Sequence, residues 1–187
     1  MIRILPLFAL TFAVSVPALA TEAIAVPPFQ SIELRGGGDV QLRRGPVQRV
    51  TLVEGSSSFT SVRVVDRGRL RIDACNAQCP RNYRLNIVIE SPTVPVLGLE
   101  GGGKIIAADG FSGQRQIVLA VNGGGVLDVS RVPAETATAA VNGGGEIKLR
   151  AIRTLTAAVN GGGLVRYSGN PRVTTAIRGG GAVRAAQ

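Results

Sequence analysis

The stretch "AAVNGGGEIKLR" occupies residues 139–150 and "AAVNGGGLVRYS" occupies residues 157–168, so the same four residues precede the same three glycines twice, 18 residues apart. Glycine inside a strand or helix costs about 0.5–1 kcal/mol relative to alanine. A chain that repeats this cost at a fixed place is marking a corner. Triplets begin at Gly36, Gly101, Gly123, Gly143, Gly161 and Gly179, and the last five are separated by 22, 20, 18 and 18 residues. Each regular triplet follows one strand-like run and precedes another: 116–121 and 126–129, 136–141 and 146–149, 154–159 and 164–167. Glycine triplets beside β-branched runs contradict helix propensity across the region.

Register assigns the inward side chains. Counting back from the first glycine, the second position holds Leu34, Leu99, Val121, Val141, Val159 and Ile177. The fourth holds Leu119, Ala139, Ala157 and Thr175, and the sixth Ile117, Ala137, Leu155 and Val173. Two residues beyond the triplets stand Val40, Ile105, Leu127, Ile147, Val165 and Val183. The residues between, Thr138, Thr156 and Thr174 with Ala140, Ala158 and Ala176, face the other way with period two. Strand, glycine corner, strand and loop, repeated with the same residue types, predict a parallel β-solenoid in which each coil buries its apolar face on the next. Corners of this kind need positive φ or close backbone approach. Gly144 is therefore expected to reject a β-branched side chain, and Thr138 to accept one.

Stacking would bring Asn122, Asn142 and Asn160 one above another, each just before a triplet. Such amides hydrogen-bond along the axis as a structural ladder, hold a positive-φ turn, or form a row of ligand-binding groups. Arg35, Glu100 and Arg178 fill the same place in other coils, which favours the structural roles. The outward Thr138, Thr156 and Thr174 reflect strand propensity or, with the alanines, offer a docking face for a second protomer, another sheet or an ordered polymer.

The first third is less regular. Residues 29–34 and 50–53 read as strands, and 62–65, "DRG" at 66–68 and 70–72 read as a hairpin whose solvent face carries Arg63, Arg69 and Arg71. Residues 83–90 alternate with Leu85, Ile87 and Ile89 inward, and Pro92, Pro95 and Gly98 then break the pattern. No linker divides the chain, so residues 26–187 are expected to form one domain. Residues 1–20 have the pattern of a cleaved secretory signal: Arg3, an apolar run over 4–16, then Ala18-Leu19-Ala20. A second small-residue site, Ala23-Ile24-Ala25, allows a cut as late as residue 25. No later stretch is apolar and long enough to span a bilayer.

The whole chain has net charge +9, and loss of Arg3 with the signal leaves +8. Lys104 and Lys148 are the only lysines, so the charge is carried by arginine, whose planar fork suits carboxylate and phosphate. For an exported protein the expected partners are acidic polysaccharide, lipopolysaccharide or phospholipid headgroups. Two tyrosines, five phenylalanines and no tryptophan leave little to stack on bases, which disfavours nucleic acid. The clearest cluster for an anion is Arg63, Arg67, Arg69 and Arg71. Solvation of exposed strand edges is the plainer reading of the same charge. Self-association through the Thr/Ala face or a solenoid end is also expected as a route to oligomers.

The chain has no histidine, which removes Ser-His-Asp and Cys-His catalysis and most zinc sites. Cys75 and Cys79, the only cysteines, are expected to close a small disulfide loop in an oxidising compartment. A two-thiolate metal site would lack further ligands, and a redox-active pair more usually has two intervening residues. Asp39, Glu100, Asp109, Asp128 and Glu146 are the candidate acids for a polysaccharide hydrolase or lyase on a β-helix scaffold, yet they occupy different positions relative to their triplets. Calcium-binding repeats need an aspartate at a fixed place in every unit, which is missing here. No metal or other cofactor is expected.

The segments "FQSIELRGGGDVQL", "VRVVDRGRLRI" and "YRLNIVIESPTVPVLGLEGGGKI", with the glycine-corner coils that follow, resemble the putative auto-transporter adhesin family, head GIN domain, over most of the mature chain. The resemblance implies a right-handed β-helix-like fold exported from a bacterial cell, in the periplasm or at the surface, and its name implies adhesion. It brings no catalytic residues. The functional expectation is a non-enzymatic binding module for an anionic envelope or surface component, with a carbohydrate-active enzyme as the alternative.

Overall fold

The computed structural model describes residues 21–76 and 78–186, and the expected signal segment, 1–20, lies outside them. All regular structure among the described residues is β: β1 (Glu22–Ile24), β2 (Ser31–Arg35), β3 (Asp39–Arg44), β4 (Arg49–Glu54), β5 (Ser61–Val65), β6 (Arg69–Asp73), β7 (Asn86–Ser91), β8 (Val96–Gly101), β9 (Lys104–Ala107), β10 (Gln114–Gly123), β11 (Val126–Gly143), β12 (Glu146–Asn160), β13 (Leu164–Ser168), β14 (Arg172–Arg178) and β15 (Ala182–Ala185). Among the described residues the first strand is β1, which pairs antiparallel with β4.

The strands form one 15-stranded sheet. Its first row runs β5-β6-β2-β8-β10 and its second β1-β4-β7-β3-β9; both meet at β11, and β12, β13, β14 and β15 continue from there. Glycine triplets carry the chain from one row to the other, as between β2 and β3, β8 and β9, and β10 and β11. Pairs beyond the opening third are parallel and in the register of the repeat: Val121 opposite Val141, Val141 opposite Val159, Val159 opposite Ile177.

Two expectations are corrected. The sheet is mixed, since β1–β4, β4–β7 and β5–β6 are antiparallel. The reversal in the hairpin is made by three consecutive positive φ values at Asp66, Arg67 and Gly68, and the antiparallel strands β1 and β5 close one end of the two rows. Nor do loops separate every coil. β11 runs unbroken for 18 residues and turns within extended backbone, with its register shifting between Asp128 and Pro133. Val129, Val132 and Ala134 are all buried, so the two residues Ser130 and Arg131 form an outward bulge that redirects the strand without exposing the core.

The inward columns form the core. Leu99, Val121, Val141 and Val159 are at most 1% exposed, whereas Ile177 in the same column on β14 is 45% exposed, because among the described residues β14 pairs with β12 alone.

The steric demand within each corner also differs from expectation. A Cβ on Gly144 would meet nothing within 4 Å, and its φ lies outside the left-handed region. Gly143 has φ +116° and would place a Cβ 2.7 Å from Gly123 O; on Gly145 it would lie 2.5 Å from Val121 Cγ1 and 2.7 Å from Gly125 O. The outer glycines touch the triplet of the preceding repeat, and the middle one sits at the outer tip of the corner.

Candidate functional site

The hairpin pairs Arg63 with Arg71 across β5 and β6, and the parallel register of β2 sets Glu33 beside Arg71. Glu33, 9% exposed, has its Oε2 3.4 Å from the Nε of both Arg69 and Arg71. Asp66 Oδ2 lies 2.6 Å from Arg69 Nη2, and Asp73 Oδ2 lies 3.3 Å from Arg63 Nη2. The Asp66 carboxylate, with Glu33 behind it, raises the Arg69 guanidinium above its ordinary value. Three hairpin arginines thus face three acids, and a face that is balanced internally has little surplus field for an external anion. Arg67, at the turn, has no acidic partner among the described residues and is exposed.

Cys75 and Cys79 are joined, with Cα atoms 5.9 Å apart, within the usual disulfide range. The protein should therefore gain the mass of two hydrogens on reduction and take up no alkylating agent before it. Two thiols alkylated without reductant would overturn the pairing.

Asn142 Nδ2 donates to Asn122 Oδ1 at 2.9 Å, while Asn160 is opposite Asn142 in register and opposite Arg178 on its other side. Thr138, Thr156 and Thr174 lie opposite one another on β11, β12 and β14; Thr138 is half-buried, the others exposed. Thr154 Oγ1 donates to Thr136 Oγ1 at 3.2 Å in the neighbouring column.

The candidate acids do not converge. Glu100 is paired with Arg35 at 2.6 Å, Asp109 with Arg131 at 2.7 Å, and Glu146 with Arg166 at 2.8 Å. Asp128 accepts from Ser130 N and Oγ at 3.0 and 2.6 Å. Asp39 instead lines a cleft of about 510 Å³ between the first glycine corner and the disulfide loop, together with Glu54, Arg81, Tyr83 and Arg84. The Tyr83 hydroxyl is held by Thr60 Oγ1 at 2.6 Å and Ser56 N at 2.8 Å, which fixes that wall. Glu54, Arg81 and Arg84 escaped the sequence reading because they fall outside the repeat.

A further group was missed although its spacing is in the sequence. Lys148, Arg166 and Arg184 each stand three residues beyond a triplet, 18 residues apart. The structure places Lys148 opposite Arg166 and Arg166 opposite Arg184 on β12, β13 and β15.

Glycine corners, an all-β mixed sheet and exposed arginine columns define a class of repeat-built β protein. The chain belongs to the family described as "Putative auto-transporter adhesin, head GIN domain", whose model matches residues 28–120 and 108–171. It is similar to the crystal structure of a "putative adhesin" from Bacteroides fragilis, with a TM-score of 0.56 and 19% identity over 91% of this chain and 98% of that one. A "putative adhesin" from Parabacteroides merdae matches with a TM-score of 0.45 and 16% identity, covering 90% and 96% of the two chains. A "putative cell adhesion protein" from Clostridium sporogenes matches with a TM-score of 0.38 and 12% identity, covering 89% and 97%. No curated protein matches the chain. At these identities the likeness concerns the fold.

Proposed function

We propose that this chain is an exported, non-enzymatic binding module, wound as a right-handed parallel β-solenoid, that attaches to an anionic component of a bacterial envelope or surface. Parallel pairing at offsets of 17 to 22 residues supports the winding, and parallel crossovers are overwhelmingly right-handed. The leader-like residues 1–20 and the adhesin family support export.

The observation that carries the reading is a surplus of free guanidinium groups. Arg43, Arg44, Arg67, Arg81, Arg84, Arg115, Arg150, Arg172, Arg178 and Arg184 have no carboxylate within 4.0 Å among the described residues. Arginine left without an acidic partner on a protein of net charge +8 after loss of residues 1–20 is available to carboxylate, sulfate or phosphate.

The mature protein should be retained at low salt on an acidic polysaccharide resin or on anionic vesicles. It should be released as the Debye length shortens from about 10 Å at 0.1 M to about 3 Å at 1 M salt. Failure to bind either matrix at low salt would overturn the reading. The second reading, a carbohydrate-active enzyme, is favoured by one observation: Asp39 and Glu54 line the same cleft. Release of reducing ends from the polysaccharide during the same experiment would move the assignment there.

A further inference from the structure

We infer that the outward face of β12, β13 and β15 is a docking groove for a linear acidic polysaccharide, gripped by Lys148, Arg166 and Arg184. The inference rests on the anion-binding reading above and gives it a place and a ligand class.

These three cations stand directly opposite one another on consecutive parallel strands, so they repeat at the interstrand spacing of about 4.8 Å. Like charges opposite each other destabilise a sheet. Local acids relieve this only in part. Glu146 is shared, 3.7 Å from Lys148 Nζ and 2.8 Å from Arg166 Nε, and Arg184 has no acidic partner among the described residues. Asp128, next in the column on β11, is turned to Ser130. The contrast with the hairpin is direct, because there three arginines meet three acids.

The shape suits a chain lying along the stack. A depression of about 380 Å³ beside Arg166 and Arg184 has Leu164, Ala185 and Ala186 in its lining, so the C–H faces of sugar rings would meet short apolar side chains while the cations reach carboxylates. One cation per strand in single file matches anions carried at regular intervals on an extended polymer, the strand spacing being close to the length of one pyranose. A lipid surface fits less well. It presents anions in a plane and commonly engages tyrosine or tryptophan at the headgroups, whereas Tyr167 of β13 is packed against the core.

The test compares two triple variants with equal loss of charge. Lys148→Gln, Arg166→Gln and Arg184→Gln together should weaken binding to alginate by about ten- to hundredfold at low salt, the sum expected of three exposed ion pairs. Arg49→Gln, Arg131→Gln and Arg153→Gln, whose guanidinium groups already face Glu90, Asp109 and Glu135, should bind close to the parent protein. Thermal unfolding supplies a readout that general damage would not mimic: removal of opposed cations should leave the melting temperature equal or higher. Equal binding by the two variants overturns the groove, as does parent protein that binds phosphatidylglycerol vesicles but not alginate. Parent protein that binds neither overturns the wider reading as well.

Discussion

Gly143→Ala and Gly145→Ala should each lower the stability of the fold by at least about 2 kcal/mol, while Gly144→Ala between them should be neutral or slightly stabilising. At Gly143 the methyl group meets two obstacles. The φ of +116° belongs to the region side chains avoid, and the added carbon lies 2.7 Å from Gly123 O, a backbone atom of the coil before it. At Gly145 the obstacles are Val121 Cγ1 at 2.5 Å and Gly125 O at 2.7 Å. Neither backbone oxygen can turn aside as a flexible side chain would. Gly144 has open space, and its N–H bond to Gly123 O at 3.0 Å is kept by alanine. Replacing glycine where the backbone is compatible narrows the unfolded ensemble, for a gain of about 0.4–1 kcal/mol. Urea midpoints of the three variants decide the matter. A loss at Gly144 as large as that at Gly145 would show that the corner is not built from contacts between its outer glycines and the previous coil.

Leu119→Ala should cost about 2–5 kcal/mol, against no more than about 0.5 kcal/mol for Ile152→Ala. Both remove a branched aliphatic side chain, but Leu119 is 1% exposed and Ile152 is 51% exposed. The stack makes the first loss hard to relax. Leu119 lies between Leu97 on β8 and Ala139 on β10's other neighbour, β11, so truncation would add a third alanine beside Ala139 and Ala157 in the column. Strands held in register on both sides cannot close the gap by moving together, and a residual cavity keeps its penalty. Chemical denaturation of both variants measures the difference. Comparable losses would place Leu119 outside the continuous core.

The pattern of the repeat made much of this legible beforehand. Val121, Val141 and Val159 recur before glycines, and alternation along each strand gives their inward direction, because the pleat itself sends successive side chains to opposite faces. The hairpin over "VRVVDRGRLRI" and the proximity of Cys75 to Cys79 are equally local features. Even the column of Lys148, Arg166 and Arg184 is present in the sequence as an 18-residue spacing, although the arginines of the hairpin are denser.

What required the folded chain was lateral. Glu33 meets Arg71 across 38 residues of sequence because β2 and β6 pair in one register, and a shift by one residue would remove that meeting. The same pairing set Arg63, Arg69 and Arg71 of the most conspicuous basic cluster against Glu33, Asp66 and Asp73, whereas Arg184 on β15 has no acidic partner among the described residues. Which glycine of a triplet is indispensable was settled the same way, by the backbone of the coil before it. Residue order along a strand determines alternation and turning, since these are properties of a few adjacent peptides. The identity of a neighbour on the next strand depends on how repeats of different length pair, and that is decided only when the whole sheet sets its register.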